Sequence, residues 1–415
     1  MSKKSVLTTI YHFGKLNLRF SSFFESGGFG LKNIRIDRIL DLDTPLGRRS
    51  VFLFGPRQTG KTTYLEHQMK TEPALKLSLL DSALFRELTT KPETLRYMVE
   101  GQDLRDATIV IDEIQRCPAL LDEIQKLIEE RQIRFLLTGS SARKLRAAGV
   151  NLLGGRALRR ELHPLTYWEL GEQFNLDRSF HAGLLPSIYL GDGVDDDLQA
   201  YIGQYLREEI AAEGLARNLS AFSRFLELAA ACHGQQINFT SIAGDVGVSR
   251  VTIQSYFQIL VDTLLGDFLD PLHLSGKVKT VSTPKFYFFD AGVVRATRRL
   301  KLIQEGTLEY GTFFEHLVYH HLRCFVSYKK RDSTLHFWRT QKGEEVDFIL
   351  DNEIAIECKA TEKVSEKHLQ GLKSIANAYR MRRLILVCRV AHPLRIGEIE
   401  VLPLANFLDQ LWTGL

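Results

Sequence analysis

Cysteine is scarce: five occur in 415 residues, Cys117, Cys232, Cys324, Cys358 and Cys388. Their number is odd and no CxxC pair is present, which excludes a disulfide scaffold or a zinc knuckle and points to a reduced, cytoplasmic protein. No apolar run approaches the roughly 20 residues a membrane helix needs, so no membrane partner is expected. The formal charge is only +4, so the whole molecule is not a polycation and any nucleic-acid affinity must be local. Low-complexity tracts and solenoid-period repeats are missing as well. What remains is an ordinary globular composition, 44% hydrophobic and 25% charged, long enough for roughly two to three domains.

Four blocks follow one another. Residues 1–33 form an N-terminal extension that is basic at its start, faintly like a transit peptide, and closed by the glycine-rich "FESGGFGLKN"; a flexible or strand-forming extension is the preferred reading. Over residues 34–178, short apolar runs ("SVFLFG", "LKLSLLD", "ATIVIDE", "IRFLLTG") alternate with amphipathic stretches, the pattern of βα units around a parallel sheet. Residues 179–275 show helical periodicity, and residues 276–415 are mixed, with "KFYFFD" read as the first strand of that last block. The expected fold class is α/β throughout, with a helical middle.

"GPRQTGKTT" matches GxxxxGK[ST] and lies between the strand "SVFLF" and a helix, the context that a phosphate-binding loop requires. Its residues Gly55, Pro56, Arg57, Gln58, Thr59, Gly60, Lys61, Thr62 and Thr63 are the nucleotide contacts. Backbone N–H groups and the helix N-terminus face the phosphates, Lys61 reaches the β- and γ-phosphates, and the Thr62 hydroxyl binds Mg2+. In "ATIVIDEIQ" an apolar strand ends in two acids: Asp112 to hold Mg2+ and Glu113 to polarise the attacking water. ATP and Mg2+ are the cofactors this pattern implies. A third strand, "IRFLLTGSS", ends in hydroxyls; Ser140 is the candidate reporter on the γ-phosphate, with Thr138 and Ser141 close behind.

Together with "LLTGSSARKL", "GGRALRRELHPLTYWEL", "GTFFEHLVYHHL", "FWRT", "GEEVDFIL" and "IECKA", these motifs resemble AAA-type ATPases of bacteria and archaea that carry an AAA_14 module followed by a DUF4143 domain. The resemblance runs from about Ile34 to about Arg389. It implies a P-loop AAA+-type ATPase domain, a homo-oligomer as partner state, and an arginine offered to a neighbour's nucleotide. Arg156 is that position here, with Arg159 and Arg160 as neighbours that could substitute; a basic surface loop is the other reading.

In the middle block, "FTSIAGDVGVSRVTIQSYFQIL" has the form of a helix-turn-helix, so a winged-helix-like unit is expected. Arg250, Thr252, Gln254 and Ser255 would be its DNA-reading positions. The surrounding charge argues against that role: Arg217, Arg224 and Arg250 face Glu227, Asp245, Asp262, Asp267 and Asp270, whereas phosphate binding calls for a locally basic surface. A packing or oligomer contact is slightly favoured.

Near the C-terminus, "GEEVDFILDNEIAIECKA" places Glu357 and Lys359 on one face of a strand, with Asp347 set to pair across a short turn. Glu315, on a helix, would supply another acid. Acids gathered about one lysine can hold a metal for phosphodiester cleavage: Asp347, Glu357 and Glu315 as ligands, Lys359 as the group that activates water. This is similar to the PD-(D/E)xK core, so a restriction-endonuclease-like α/β domain is expected. A solvated charged hairpin is the competing reading. Two functions stand side by side: an ATPase whose C-terminal domain acts on DNA or RNA, and a nucleotide-controlled switch whose C-terminal domain is an inactive interaction module.

Overall fold

The computed structural model describes residues 35–140, 143, 153–206, 218–273, 278–329 and 332–415, without the side chains of 204–206. The N-terminal extension and Ser141 lie outside the described residues.

Strands β1 (Ser50–Phe54), β2 (Leu75–Ser78), β3 (Thr108–Asp112), β4 (Arg134–Gly139) and β5 (Ala157–Glu161) form one parallel sheet in the order β2-β3-β4-β1-β5. Every residue of β1 is buried, as strands covered on both faces require. The alternation of side chains divides them between two cores. Phe52, Phe54, Ile109, Ile111, Phe135 and Leu137 share one cluster; Val51, Leu53, Val110 and Leu136 join another. The first cluster includes Leu120, Ile124 and Leu127 of helix α2 (Leu120–Arg131). Burying each such Leu, Ile or Phe stabilises the sheet by about 1.5–3 kcal/mol. The second cluster continues through the middle of the chain as far as Leu415, so the blocks share a core instead of standing apart. Since β4 lies between β1 and β3, the strand with terminal hydroxyls is inserted between the phosphate-loop strand and the acidic strand.

The middle runs helix–strand–helix–helix–strand–strand: α3 (Leu219–Ala231), β6 (Gln235–Gln236), α4 (Phe239–Val246), α5 (Arg250–Asp262), β7 (Gly266–Leu269) and β8 (Lys285–Phe288). Asn238 caps α4 and Ser249 caps α5. Between the two helices Gly247 turns the chain at φ 77°, a left-handed value that glycine adopts without strain. Helix α5 buries Ile253, Tyr256, Phe257 and Leu260 at helical spacing and leaves Arg250, Val251, Gln254 and Ser255 exposed. Arg143 pairs with Asp262 at the end of α5 at 2.8 Å.

One element departs from its sequence grouping. "KFYF", read with the last block, is β8, and it pairs antiparallel with β6 and β7. The reason is its two faces: Phe286 and Phe288 pack among aromatics of the middle unit, with Phe286 4.8 Å from Phe257. Tyr287 turns the other way and stacks on Tyr319 at 4.0 Å. Strand β8 is thus a wall common to two blocks. The β7–β8 connection is also engaged, because Leu272 N–H donates to Phe337 O and Val281 N–H to Arg339 O, along the edge strand β9 (Leu335–Arg339).

The C-terminal sheet has the order β13-β14-β12-β11-β10-β9. Strands β9 (Leu335–Arg339), β10 (Glu345–Leu350) and β11 (Ile354–Cys358) are antiparallel neighbours; β12 (Arg383–Cys388) runs parallel to β11 after helix α7 (Glu366–Ala378). Strands β14 (Ile399–Pro403) and β13 (Leu394–Ile396) complete it, β13 as an edge. Helix α6 (Leu308–Tyr328) joins one core and α7 the other, so both faces are covered. Among the described residues no helix is long and apolar enough to cross a membrane.

Candidate functional site

The phosphate loop follows β1 and leads into helix α1 (Lys61–His67). Gly60 stands at φ 89° as its N-cap. A Cβ at Gly55 would sit 2.5 Å from Leu162 O, so only glycine lets the loop pass the end of β5. Lys61 is 8% exposed, and its ammonium donates to Gly55 O at 2.6 Å and Pro56 O at 2.9 Å. Thr62 and Thr63 at the helix start are exposed, Arg57 and Gln58 half-buried, Pro56 and Thr59 buried. Across from the loop, Asp112 accepts a hydrogen bond from the Thr138 hydroxyl. Glu113 accepts one from the Gln115 amide, whose nitrogen also lies 3.3 Å from Ser140 Oγ. Burial pushes the Glu113 carboxyl above its ordinary range, against the charge of Lys61.

Helix N-terminus, glycine cradle, exposed Thr62 hydroxyl and strand-end Asp112 are the donor and acceptor set that a Mg2+-nucleotide needs. Two contributors lie outside the motif. Arg38, 7% exposed, donates to Thr59 O at 2.6 Å, to His163 O at 2.6 Å and to Glu169 at 2.9 Å, clamping the loop from beneath. Ser187 donates to Gln58 at 3.1 Å. An arginine 17 residues before the loop and a serine 124 residues after it carry no local signal. Gln115 did carry one, since it lies within "IDEIQ".

Arg156 stands elsewhere. It directly precedes β5, whose first residue is in register with Ser50, so it lies at the far end of the sheet from the loop, roughly 16 Å away by strand rise. There it pairs with Glu129 at 2.8 Å, both side chains nearly half exposed. It cannot reach the phosphates bound by its own loop.

The C-terminal acids do converge. Asp347 lies opposite Glu357 in the β10–β11 register, and its carboxylate accepts the Cys358 N–H at 2.8 Å. Lys359 Nζ is 2.5 Å from Glu357 and 4.0 Å from Asp347. A second lysine, absent from the sequence reading, enters from β8. Lys285 is 4% exposed and lies 2.7 Å from Glu345, 3.1 Å from Glu315 and 3.8 Å from Asp347. Tyr287 donates to Glu315 at 2.5 Å.

Burial disfavours the Lys285 ammonium, but Glu315, Asp347 and Glu345 outweigh it and hold its pKa above the ordinary lysine range. The same balance holds for Lys359, where Asp347 and Glu357 overcome burial. Glu357 is pushed up to about 8 by burial and by Asp347, in spite of Lys359, and its Oε2 is buried with no hydrogen-bond partner. Glu315, Asp347 and Glu357, expected to share a metal, instead border two lysines. Among the described residues no group of three or more His, Cys, Asp or Glu is arranged to hold a metal ion. The Lys285 ammonium stands among Glu315, Glu345 and Asp347, and the Lys359 ammonium beside Glu357 and Asp347.

Residues 47–171 match the AAA_14 family model, described as an AAA domain. The chain carries an AAA domain over these residues. Residues 173–303 match DUF8612 and residues 310–407 match DUF4143, both described as domains of unknown function. Among curated proteins the chain is similar to the uncharacterized proteins Rv2008c of Mycobacterium tuberculosis and Mb2031c of Mycobacterium bovis. Each is 26% identical over 361 residues, covering 85% of this chain and 79% of the relative. Among solved structures, the ORC1 protein of Aeropyrum pernix in complex with DNA aligns with 61% of this chain and 87% of its own, at 13% identity and a TM-score of 0.23. At that score the likeness carries no argument.

Proposed function

We propose that this AAA-domain protein binds ATP with Mg2+ and hydrolyses it, and that its C-terminal domain is an interaction module under nucleotide control. The observation that carries the first part is the meeting of Gly55–Thr63, Asp112 and Glu113 at one end of a sheet in which β4 separates β1 from β3. Lys61 and the loop amides hold the β- and γ-phosphates. Mg2+, bound through Thr62 and Asp112, supplies neutralisation of phosphate charge. Glu113 takes the proton of a water that attacks the γ-phosphorus as the bond to the β-phosphate oxygen breaks, leaving ADP and phosphate. Lys61→Ala tests binding and Glu113→Gln tests hydrolysis: the first should weaken nucleotide binding about a hundredfold, the second should bind ATP and lose nearly all turnover. Normal turnover in both would refute the reading.

Residues 34–178 are proposed as the ATPase unit and 276–415 as a nuclease-like fold, with a winged-helix-like unit between them that extends through β8. Arg156 is proposed to act on the nucleotide of a second copy, since the phosphates of its own chain are out of reach. Lys285 supports the interaction-module reading for the C-terminal domain, because it supplies from within the positive charge that a metal would bring. The second reading, a Mg2+-dependent nuclease acting on DNA or RNA, is favoured by one observation: Asp347 and Glu357 face each other across two strands with Lys359 beside them. Plasmid and single-strand cleavage with Mg2+ or Mn2+, lost in Asp347→Ala and Lys359→Ala, would establish it. Absence of cleavage by the wild type leaves the module reading standing.

A further inference from the structure

The hydrolysis reading assigns a role to Glu113 and leaves open what aims it. Glu113 has φ 60°, a left-handed backbone uncommon outside glycine. That turn brings Gln115, in the short helix Ile114–Arg116, back beneath the end of β4. Gln115 is 7% exposed. Its amide nitrogen donates to Glu113 Oε2 and lies 3.3 Å from Ser140 Oγ, while its Oε1 is buried with no partner.

The opposing strand is shaped to admit this amide. A Cβ at Gly139 would stand 2.3 Å from Gln115 Oε1, so the glycine before Ser140 leaves the amide room in this position. The hydroxyls at the end of β4 and just past it divide their work: Thr138 bonds Asp112, and Ser140 is linked to Glu113 through Gln115. A buried carbonyl with no partner among the described residues carries an uncompensated desolvation cost, which a side chain with only a packing role would not need to bear.

We infer that Gln115 is a positioning residue that holds one oxygen of Glu113, leaves the other for the attacking water, and links that carboxylate to Ser140. A γ-phosphate that draws on Ser140 therefore re-aims Glu113 through a single amide. The assignment rests on the proposed hydrolysis at this site, and it names a residue that neither the loop motif nor the strand-end acids include.

The test uses the full chain and ATP with Mg2+. Gln115→Leu keeps the bulk and removes the donor; kcat should fall about tenfold or more while ATP affinity stays within about twofold. Adding Ser140→Ala to that variant should cost nothing further, because the link is already cut. Ser140→Ala alone removes one oxygen, and should lower kcat at unchanged affinity even if Gln115→Leu does not fold. Losses that multiply in the double variant, or a loss of ATP binding in parallel with kcat, would each overturn the assignment as a mere packing effect. Wild-type protein that binds ATP without turning it over would overturn the hydrolysis reading as well, and this shows before any substitution is made.

Discussion

The protein buries lysine beside carboxylates in two places, and the two lysines are treated differently. Lys61 donates to loop carbonyls, neutral acceptors that phosphate oxygens can replace, and next to it Thr62 stands exposed at a helix start. Lys285 is held by three carboxylates on a strand paired at both edges. The first arrangement suits the proposed incoming anion, whereas the second is held by acids of the chain itself. Acids near a lysine thus suggest either catalysis or packing, and what separates them is where the neutralising charge comes from.

The comparison breaks most visibly at Glu113, the carboxylate proposed to be catalytic. Glu113→Gln should lower kcat by about a thousandfold while ATP still binds, the range expected for losing a general base; steady-state turnover and nucleotide titration measure the two. Lys61→Ala should weaken ATP binding about a hundredfold, some 2.7 kcal/mol.

At the other lysine the effect should be on stability. Lys285→Met leaves buried acids without their cation and should cost about 3–5 kcal/mol, read from chemical denaturation. Glu315→Gln added to it should recover part of the loss, and an unchanged midpoint for Lys285→Met would remove the contrast between the sites.

A pH series sharpens it further. Glu357 is raised from 4.5 to about 8 in the folded state, so within that window the folded chain holds more protons than the unfolded one. Stability from this group is complete below 4.5 and is lost as pH rises toward 8. Glu357→Gln should therefore gain on the wild type across that interval, and parallel unfolding profiles would contradict the raised value.

The smallest effect belongs to Arg156→Ala. Its pair with Glu129 is exposed, and should contribute less than about 1 kcal/mol. A fall in ATP turnover without a change in melting would mark it as acting on a second copy.

Much of the nucleotide site was legible because its parts are contiguous. Nine residues in a row carry the loop, and Asp112, Glu113 and Gln115 fall within one short motif. The apolar runs likewise announced β1, β3 and β4, since strands covered on both faces must be apolar throughout. The cross-strand relation of Asp347 to Glu357 could be read as well, because a short turn fixes antiparallel register. Lys285 was hidden for the opposite reason. It lies 62 positions before Asp347, on a strand whose apolar pattern gave no sign that its two faces serve different cores. Arg38 was hidden too: 21 residues separate it from Thr59 and 131 from Glu169, and one arginine in an unstructured stretch has no periodicity to reveal it.

By itself, then, the sequence determined the phosphate loop, the acidic strand end and the acids of the last sheet, since short-range spacing and hydrogen-bonding chemistry settle these. Tertiary structure alone decided which charges meet. It set Gln115 between Glu113 and Ser140, kept Arg156 at the far end of the sheet, and brought Lys285 among carboxylates on two other elements. Such meetings follow from strand order and from cores shared between blocks, and the pairing of distant strands is not written in any local pattern.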